Sequence, residues 1–170
     1  MAKDNKDTPR FYWDADVFLS AINGPKERLP IIEAILDDCA GKNAELYTSM
    51  LSITEVAFAG SEKESCRLND TIEEKINKLW YPPSPVKLVE ISEFVILEAK
   101  KLMREAIQKG WSLKPADAIH LATAKRVSPI EIHTYESGWI KYSDMVGCKI
   151  CEPQIGRFQY PVQENPKKAK

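Results

Sequence analysis

Apolar positions along the chain switch repeatedly between a strand period and a helix period. Phe11–Asp14 is a β-prone run that ends at an acid, and Leu29–Ala40 places Ile31, Ile32, Ile35, Leu36 and Cys39 on one helical stripe stopped by Gly41. Glu45–Thr48 predicts a second short strand, and Leu51–Ala59 a helix ending at Gly60. Ser61 and Glu64 form a capping-box pattern ahead of a longer helix carrying Leu68, Ile72, Ile76 and Leu79 on one face. The prolines of Trp80–Pro85 then force an extended turn, since proline lacks the donor a helix needs. Val86–Ile91 is expected as a strand. Ser92 is expected to cap a helix that turns Val95, Ala99, Leu102 and Ala106 inward and stops at Gly110. Pro115 suits the first turn of a helix over Ala116–Arg126, followed by a strand at Glu131–Tyr135, a short helix at Ser137–Met145 and a last strand at Cys148–Cys151.

Strands that alternate with helices over most of a chain imply a parallel sheet covered on both faces. The expected class is α/β, a three-layer α/β/α sandwich with a central, mostly parallel sheet of four to five strands. Residues 1–9 are expected to be disordered, residues 10–160 to form a single domain, and residues 161–170 a short basic tail. In such sheets ligands sit at the carboxyl ends of the strands.

Composition narrows the function classes. The 170 residues hold 24 basic against 25 acidic side chains, a net charge of −1, which excludes a strongly basic nucleic-acid coat and a highly acidic disordered chain. No apolar run approaches the roughly 18 residues of a membrane span, and MAKDNKDTPR has no apolar stretch, so a cytoplasmic protein without a membrane partner is expected. Cys148-Lys-Ile-Cys151 is a C-x-x-C pattern in a β-prone stretch, not at a helix start. It has no second pair for zinc, so reduced, structural cysteines are expected.

The chemistry lies in the acids. Asp14 closes the first strand, Glu55 lies in the helix after the second, Glu136 follows the fourth, and Asp117 sits in the first turn of the helix opened by Pro115. Asp14 and Asp117 stand in apolar surroundings, and buried carboxylates need cations, donors or protons. A divalent metal supplies that charge, with Mg2+ or Mn2+ suited to hard oxygen ligands and to in-line phosphodiester hydrolysis. Each acid also has a local explanation: Asp14 and Asp117 as helix caps, Glu55 in a capping box with Ser52, and Glu136 as a solvated loop acid.

Four blocks resemble the PIN-domain ribonucleases: Tyr12–Leu19 with its Asp14-Ala-Asp16, Tyr47–Val56, Leu113–Ala124 and Thr134-Tyr-Glu136, together covering about residues 10 to 153. The resemblance implies a metal-dependent endoribonuclease of the VapC toxin type, cleaving RNA and paired with an antitoxin protein. It implies that Asp14, Glu55, Asp117 and Glu136 are the catalytic and metal-binding acids, supported by Thr134 and Asp16. Asp16 stands where the family usually has a small polar residue, and Glu136 where it usually has aspartate.

Other readings stay open beside it. A catalytically weakened PIN-like module would bind RNA or protein without cutting. Asp14-Ala-Asp16-Val also resembles the first motif of haloacid-dehalogenase-like phosphatases, but no Gly-Asp or Asp-Asp motif follows a lysine downstream. His120 and His133 are expected to pack or hydrogen-bond, and Trp80 and Trp111 to pack in the core or at an interface. Lys26, Arg28, Lys114 and Arg126 are the basic candidates near the pocket. The Leu68–Leu79 stripe is a candidate homodimer face.

Overall fold

The computed structural model describes residues 8–155; the expected disordered segment 1–9, apart from Thr8 and Pro9, and the basic tail 161–170 lie outside them. Strands β1 (Arg10–Trp13), β2 (Glu45–Ser49), β3 (Val86–Val89), β4 (Glu131–His133) and β5 (Lys149–Cys151) form a five-stranded parallel sheet in the order β3-β2-β1-β4-β5. The helices are α1 (Ala15–Asn23), α2 (Leu29–Ala40), α3 (Leu51–Glu55), α4 (Gly60–Ser65), α5 (Asp70–Trp80), α6 (Glu93–Gln108), α7 (Pro115–Val127) and α8 (Ser143–Val146). Single 3-10 segments cover Lys26–Arg28 and Ser137–Tyr142. The α/β class with a parallel central sheet is the one the patterning predicts.

β1 is the middle strand, and its last three residues, Phe11, Tyr12 and Trp13, are buried on both faces, which is why they are all aromatic instead of alternating with polar residues. Phe11 and Trp13 enter one core with Val17 and Phe18 of α1, Ile32 and Ile35 of α2, and Trp80 of α5. Tyr12 enters the other with Val95 and Leu102 of α6, Leu121 of α7, Ile132 of β4 and Trp139. The chain leaves β1 toward β2 on one side, whereas β4 and β5 lie on the other. The strand order therefore reverses between β1 and β4, and the crevice beyond their carboxyl ends is where such sheets bind ligands.

Several local expectations give way to tertiary contacts. The helix expected from Ser61 onward is two helices, broken at Cys66, whose φ of 53° is left-handed. Ser61 and Glu64 form no capping box. The Glu62 carboxylate instead accepts the Ala59 N–H at 2.9 Å and the Asn69 N–H at 2.7 Å, tying α4 to the start of α5. Asn69 caps α5 by accepting from Thr71 N–H and Ile72 N–H. Leu68 lies in the break and is 83% exposed, so it does not share the inward face of Ile76 and Leu79. The helix expected over Leu51–Ala59 stops at Glu55. Ser92 occupies the N-cap position of α6 without capping it; its hydroxyl accepts from Arg126 at 2.8 Å.

Helix α1 has no counterpart among the elements the patterning predicts. Its end matters because a Cβ at Gly24 would lie 2.5 Å from the Ser20 carbonyl oxygen. Glycine permits that close approach. The chain then turns back through Lys26–Arg28, and Arg28 donates to the Ser20 hydroxyl at 3.0 Å. Among the described residues no helix is long and apolar enough to cross a membrane.

The break between α4 and α5 predicts unequal responses along the former stripe. Leu68→Ser is expected to change stability by no more than about 0.5 kcal/mol. Ile76→Ala, which empties part of a core, is expected to cost about 2–4 kcal/mol. Urea unfolding of both variants checks this; comparable losses would place Leu68 on the buried face after all.

Candidate functional site

Asp14 is the residue directly after β1, and Thr134 the residue directly after β4. Parallel pairing of Trp13 with His133 brings the two together. The Thr134 hydroxyl donates to Asp14 Oδ2 at 2.7 Å, and its oxygen accepts the Glu136 N–H at 3.0 Å. Asp14 is only 3% exposed, and its second oxygen, Oδ1, is buried with no hydrogen-bond partner. Burial pushes this carboxyl well above the usual range; Thr134 opposes the shift and the charge of Asp16 adds to it. The Val17 and Asp16 amides pull the other way, but neither completes a side-chain cap on α1.

The remaining acids share one electrostatic field. Asp16 is raised by burial, then by Glu136, with Arg28 opposing and Glu55 adding. Asp117 is raised by burial, then by Glu136; Lys114 and His120 oppose, and Glu55 adds. Glu136 and Glu55 thus act on both aspartates, and Asp16 acts on Asp14. The acids named from the sequence are thus linked pairwise by their charges. Among the described residues, however, no three of them bring ligand oxygens within 4.8 Å of one another.

Glu55 is the last residue of α3, and it is not held by the capping box that Ser52 suggested. Thr48 donates to the Trp13 carbonyl at 2.7 Å and so leaves its oxygen for Ser52, also at 2.7 Å. The Glu55 carboxylate instead meets His120 Nε2 at 2.6 Å, and His120 Nδ1 lies 2.8 Å from the Tyr12 hydroxyl. On the opposite face of the sheet Trp13 Nε1 donates to His133 Nδ1 at 2.9 Å, and His133 Nε2 meets Glu131 at 3.1 Å. The other Glu131 oxygen pairs with Lys149 at 2.8 Å. The His133 hydrogen bond, the largest influence, and Lys149 outweigh burial, which pushes the other way, and leave the Glu131 carboxyl at about 2.

Glu131, His133 and Cys151 are close enough to suggest a metal site. The indole N–H can only donate, so His133 Nδ1 is an acceptor and the ring proton sits on Nε2, where a metal would have to bind. Glu131 and His133 are thus already committed to hydrogen bonds within the protein. No disulfide joins the cysteines, including Cys148 and Cys151.

Two of the four basic candidates lie at the pocket. The Arg28 guanidinium stacks 3.7 Å above the Tyr135 ring and acts on Asp16, and Lys114 acts on Asp117. Arg126 is engaged by Ser92, and Lys26 is exposed at the start of its 3-10 turn. Trp80 packs on Phe18 at 4.9 Å and Trp111 edge-on to Tyr142 at 5.8 Å.

The PIN domain family matches residues 11–144, a span that contains every one of these acids. The chain belongs to the PIN domain family. The PIN fold here is similar to that of VapBC2 from Rickettsia felis, solved bound to a DNA fragment from its promoter, at 15% identity and a TM-score of 0.63 over 83% of this chain and 96% of that one. It is similar to FitAcB from Neisseria gonorrhoeae at 16% identity and a TM-score of 0.59, over 84% and 97% of the two chains. A toxin–antitoxin complex from Klebsiella pneumoniae gives 16% identity and a TM-score of 0.52, over 84% and 97%. No curated protein matches the chain by sequence. With the family shown, the dehalogenase-like reading of Asp14 and Asp16 loses its ground.

What the sequence missed in this PIN domain is Tyr12, which lies inside a block quoted for its acids. Its signal was a hydroxyl in the middle of a strand buried on both faces, where a partner within the protein offsets the lost water. The bond between His120 and Glu55 joins residues 65 apart and carries no local signal.

The buried Asp14 makes a signed pH prediction. Its pKa is raised on folding, so its contribution to stability is fully present below the unfolded value of about 4 and is lost as pH rises through the folded value. In EDTA, Asp14→Asn is therefore expected to be more stable than wild type near neutral pH, by about 1.4 kcal/mol for each unit of elevation. The gap should close toward pH 4. Melting curves of both proteins across this range check it, and a gap independent of pH would contradict the elevation.

Proposed function

We propose that this PIN domain is an Mg2+- or Mn2+-dependent endoribonuclease that hydrolyses RNA phosphodiester bonds, the toxin of a toxin–antitoxin pair. The observation that carries this reading is Asp14: a buried carboxylate with one unpartnered oxygen, beside the charge of Asp16, where the strand order reverses. A purely structural acid in that position would be paired within the protein. The donor set is all hard oxygen, which suits magnesium or manganese. Asp14, Glu55, Asp117 and Glu136 would hold the ion, with Asp16 adding charge beside them. When bound, the ion supplies activation of the attacking water and stabilisation of charge on the phosphate.

The chain's own residues do the rest. Thr134 fixes Asp14 through Oδ2, while Oδ1 is buried without a hydrogen-bond partner. Glu136, exposed and one methylene longer than aspartate, reaches the pocket from the loop after β4. Arg28, held by Ser20 and Tyr135, and Lys114 supply positive charge at the pocket edge for an RNA backbone. The RNA substrate follows from the motif resemblance, and the antitoxin partner is supported by neighbours solved as toxin–antitoxin complexes. A cytoplasmic homodimer built from one domain over residues 10–160 completes the proposal.

The weakened binding module is the second reading, favoured by the lack of three converging carboxylates among the described residues. Cleavage of RNA that EDTA abolishes is expected. Asp14→Asn and Asp117→Asn should each slow cleavage by on the order of a hundredfold or more while remaining folded. Calorimetric titration with manganese should show binding to wild type and its loss in Asp14→Asn. Wild-type cleavage by both variants would remove the nuclease reading, and no manganese binding would favour the module.

A further inference from the structure

The bond between His120 and Glu55 has a direction that follows from the partners of the Tyr12 hydroxyl and from the carboxylate itself. The Ser49 N–H reaches the Tyr12 hydroxyl oxygen at 3.1 Å, and an amide can only donate. The phenol oxygen accepts there and keeps its own proton for a second partner. A phenol shut away from water in the interior keeps that proton. His120 Nδ1, at 2.8 Å, accepts the hydrogen bond, beside the Thr123 hydroxyl, which itself donates to the Ile119 carbonyl. With Nδ1 accepting, the ring proton sits on Nε2, which donates to Glu55 Oε2 at 2.6 Å. The opposite tautomer would set a nitrogen lone pair against a carboxylate oxygen.

The two ends of this relay differ in rigidity. Tyr12 and His120 are buried within 2% exposure, while Glu55 ends a five-residue helix and its side chain is 29% exposed. A helix of one turn gives its last side chain little fixity of its own. The hydrogen bond occupies Oε2 and leaves Oε1 as the oxygen available to a cation. His120 also lies on α7, the helix that carries Asp117, so the bond ties the two acid-bearing helices together.

We propose that His120 is a positioning residue of the acidic pocket: locked as the Nε2–H tautomer by Tyr12, it holds Glu55 in place for the divalent ion. The tautomer stands on hydrogen-bond geometry, whereas its consequence for the ion rests on the nuclease reading. His120→Gln can restore a donor at the Nε2 position, and His120→Asn restores only the Nδ1 position.

Two measurements test this. Long-range nitrogen–proton NMR of the imidazole rings in the metal-free wild-type protein should show His120 as Nε2–H, assigned by the signal missing in His120→Gln. Tyr12→Phe should disturb that signal. An Nδ1–H ring, or a signal unchanged by Tyr12→Phe, overturns the proposal. Manganese titration should then show His120→Gln within about threefold of wild type and His120→Asn weaker by about 10–100-fold, the usual size of an outer-shell effect. Equal affinity of the two variants overturns the positioning role. A wild type that binds no manganese defeats the nuclease reading instead, and the ring spectrum still decides whether the relay exists.

Discussion

A phenol O–H or an indole N–H loses its water partners on burial, and on β1 one of each, on adjacent residues, regains an acceptor within the protein. Because strand side chains alternate, Tyr12 and Trp13 enter opposite faces of the sheet. Each meets Nδ1 of a histidine far away in the chain, 108 and 120 residues on. Each histidine then turns its Nε2 to a glutamate. These two chains of hydrogen bonds use both histidines of the protein. One pins α7 and α3 to the middle strand, and the other pins β4 to it. Asp14, the next residue after the pair, inherits a position referenced to both faces.

The electrostatics follow from the same placement. Burial first, and then the charges of neighbouring acids, make Asp14, Asp16 and Asp117 hold protons more tightly than they would in water. Arg28 and Lys114 offset this only in part. The near-neutral net charge of −1 therefore conceals a strongly anionic spot with few counterions. Such a spot repels a phosphate backbone until cations occupy it.

Much of this was legible from the sequence because strand ends are local signals. Asp14, Thr134 and Glu136 lie within a few residues of strands, and Asp117 in a first helical turn, so predicting the elements predicted their edge. What escaped was settled by partners distant in sequence. Ser52 was offered a capping role, but Thr48 was already committed to Trp13 and drew the Ser52 hydroxyl to itself. Ser92 was drawn to Arg126 in the same way. The stripe from Leu68 to Leu79 has helical spacing, yet Glu62 binds the amides of both Ala59 and Asn69 and breaks it. Capping preferences are worth about 1 kcal/mol, small enough for a tertiary hydrogen bond to override.

The register of β1 carries a further consequence. Phe11 pairs with Leu46 on one side and with Glu131 on the other, so both neighbours fix the same phase. A slip of one residue exchanges the faces of every side chain in a strand. Tyr12 would then point toward the wrong histidine, Trp13 toward the other, and the residue reaching Thr134 would no longer be an aspartate. The middle strand thus behaves as a reading frame for the pocket. Substitutions alter single letters of it, but one inserted or deleted residue between Phe11 and Asp14 would scramble both cores and the acidic site together.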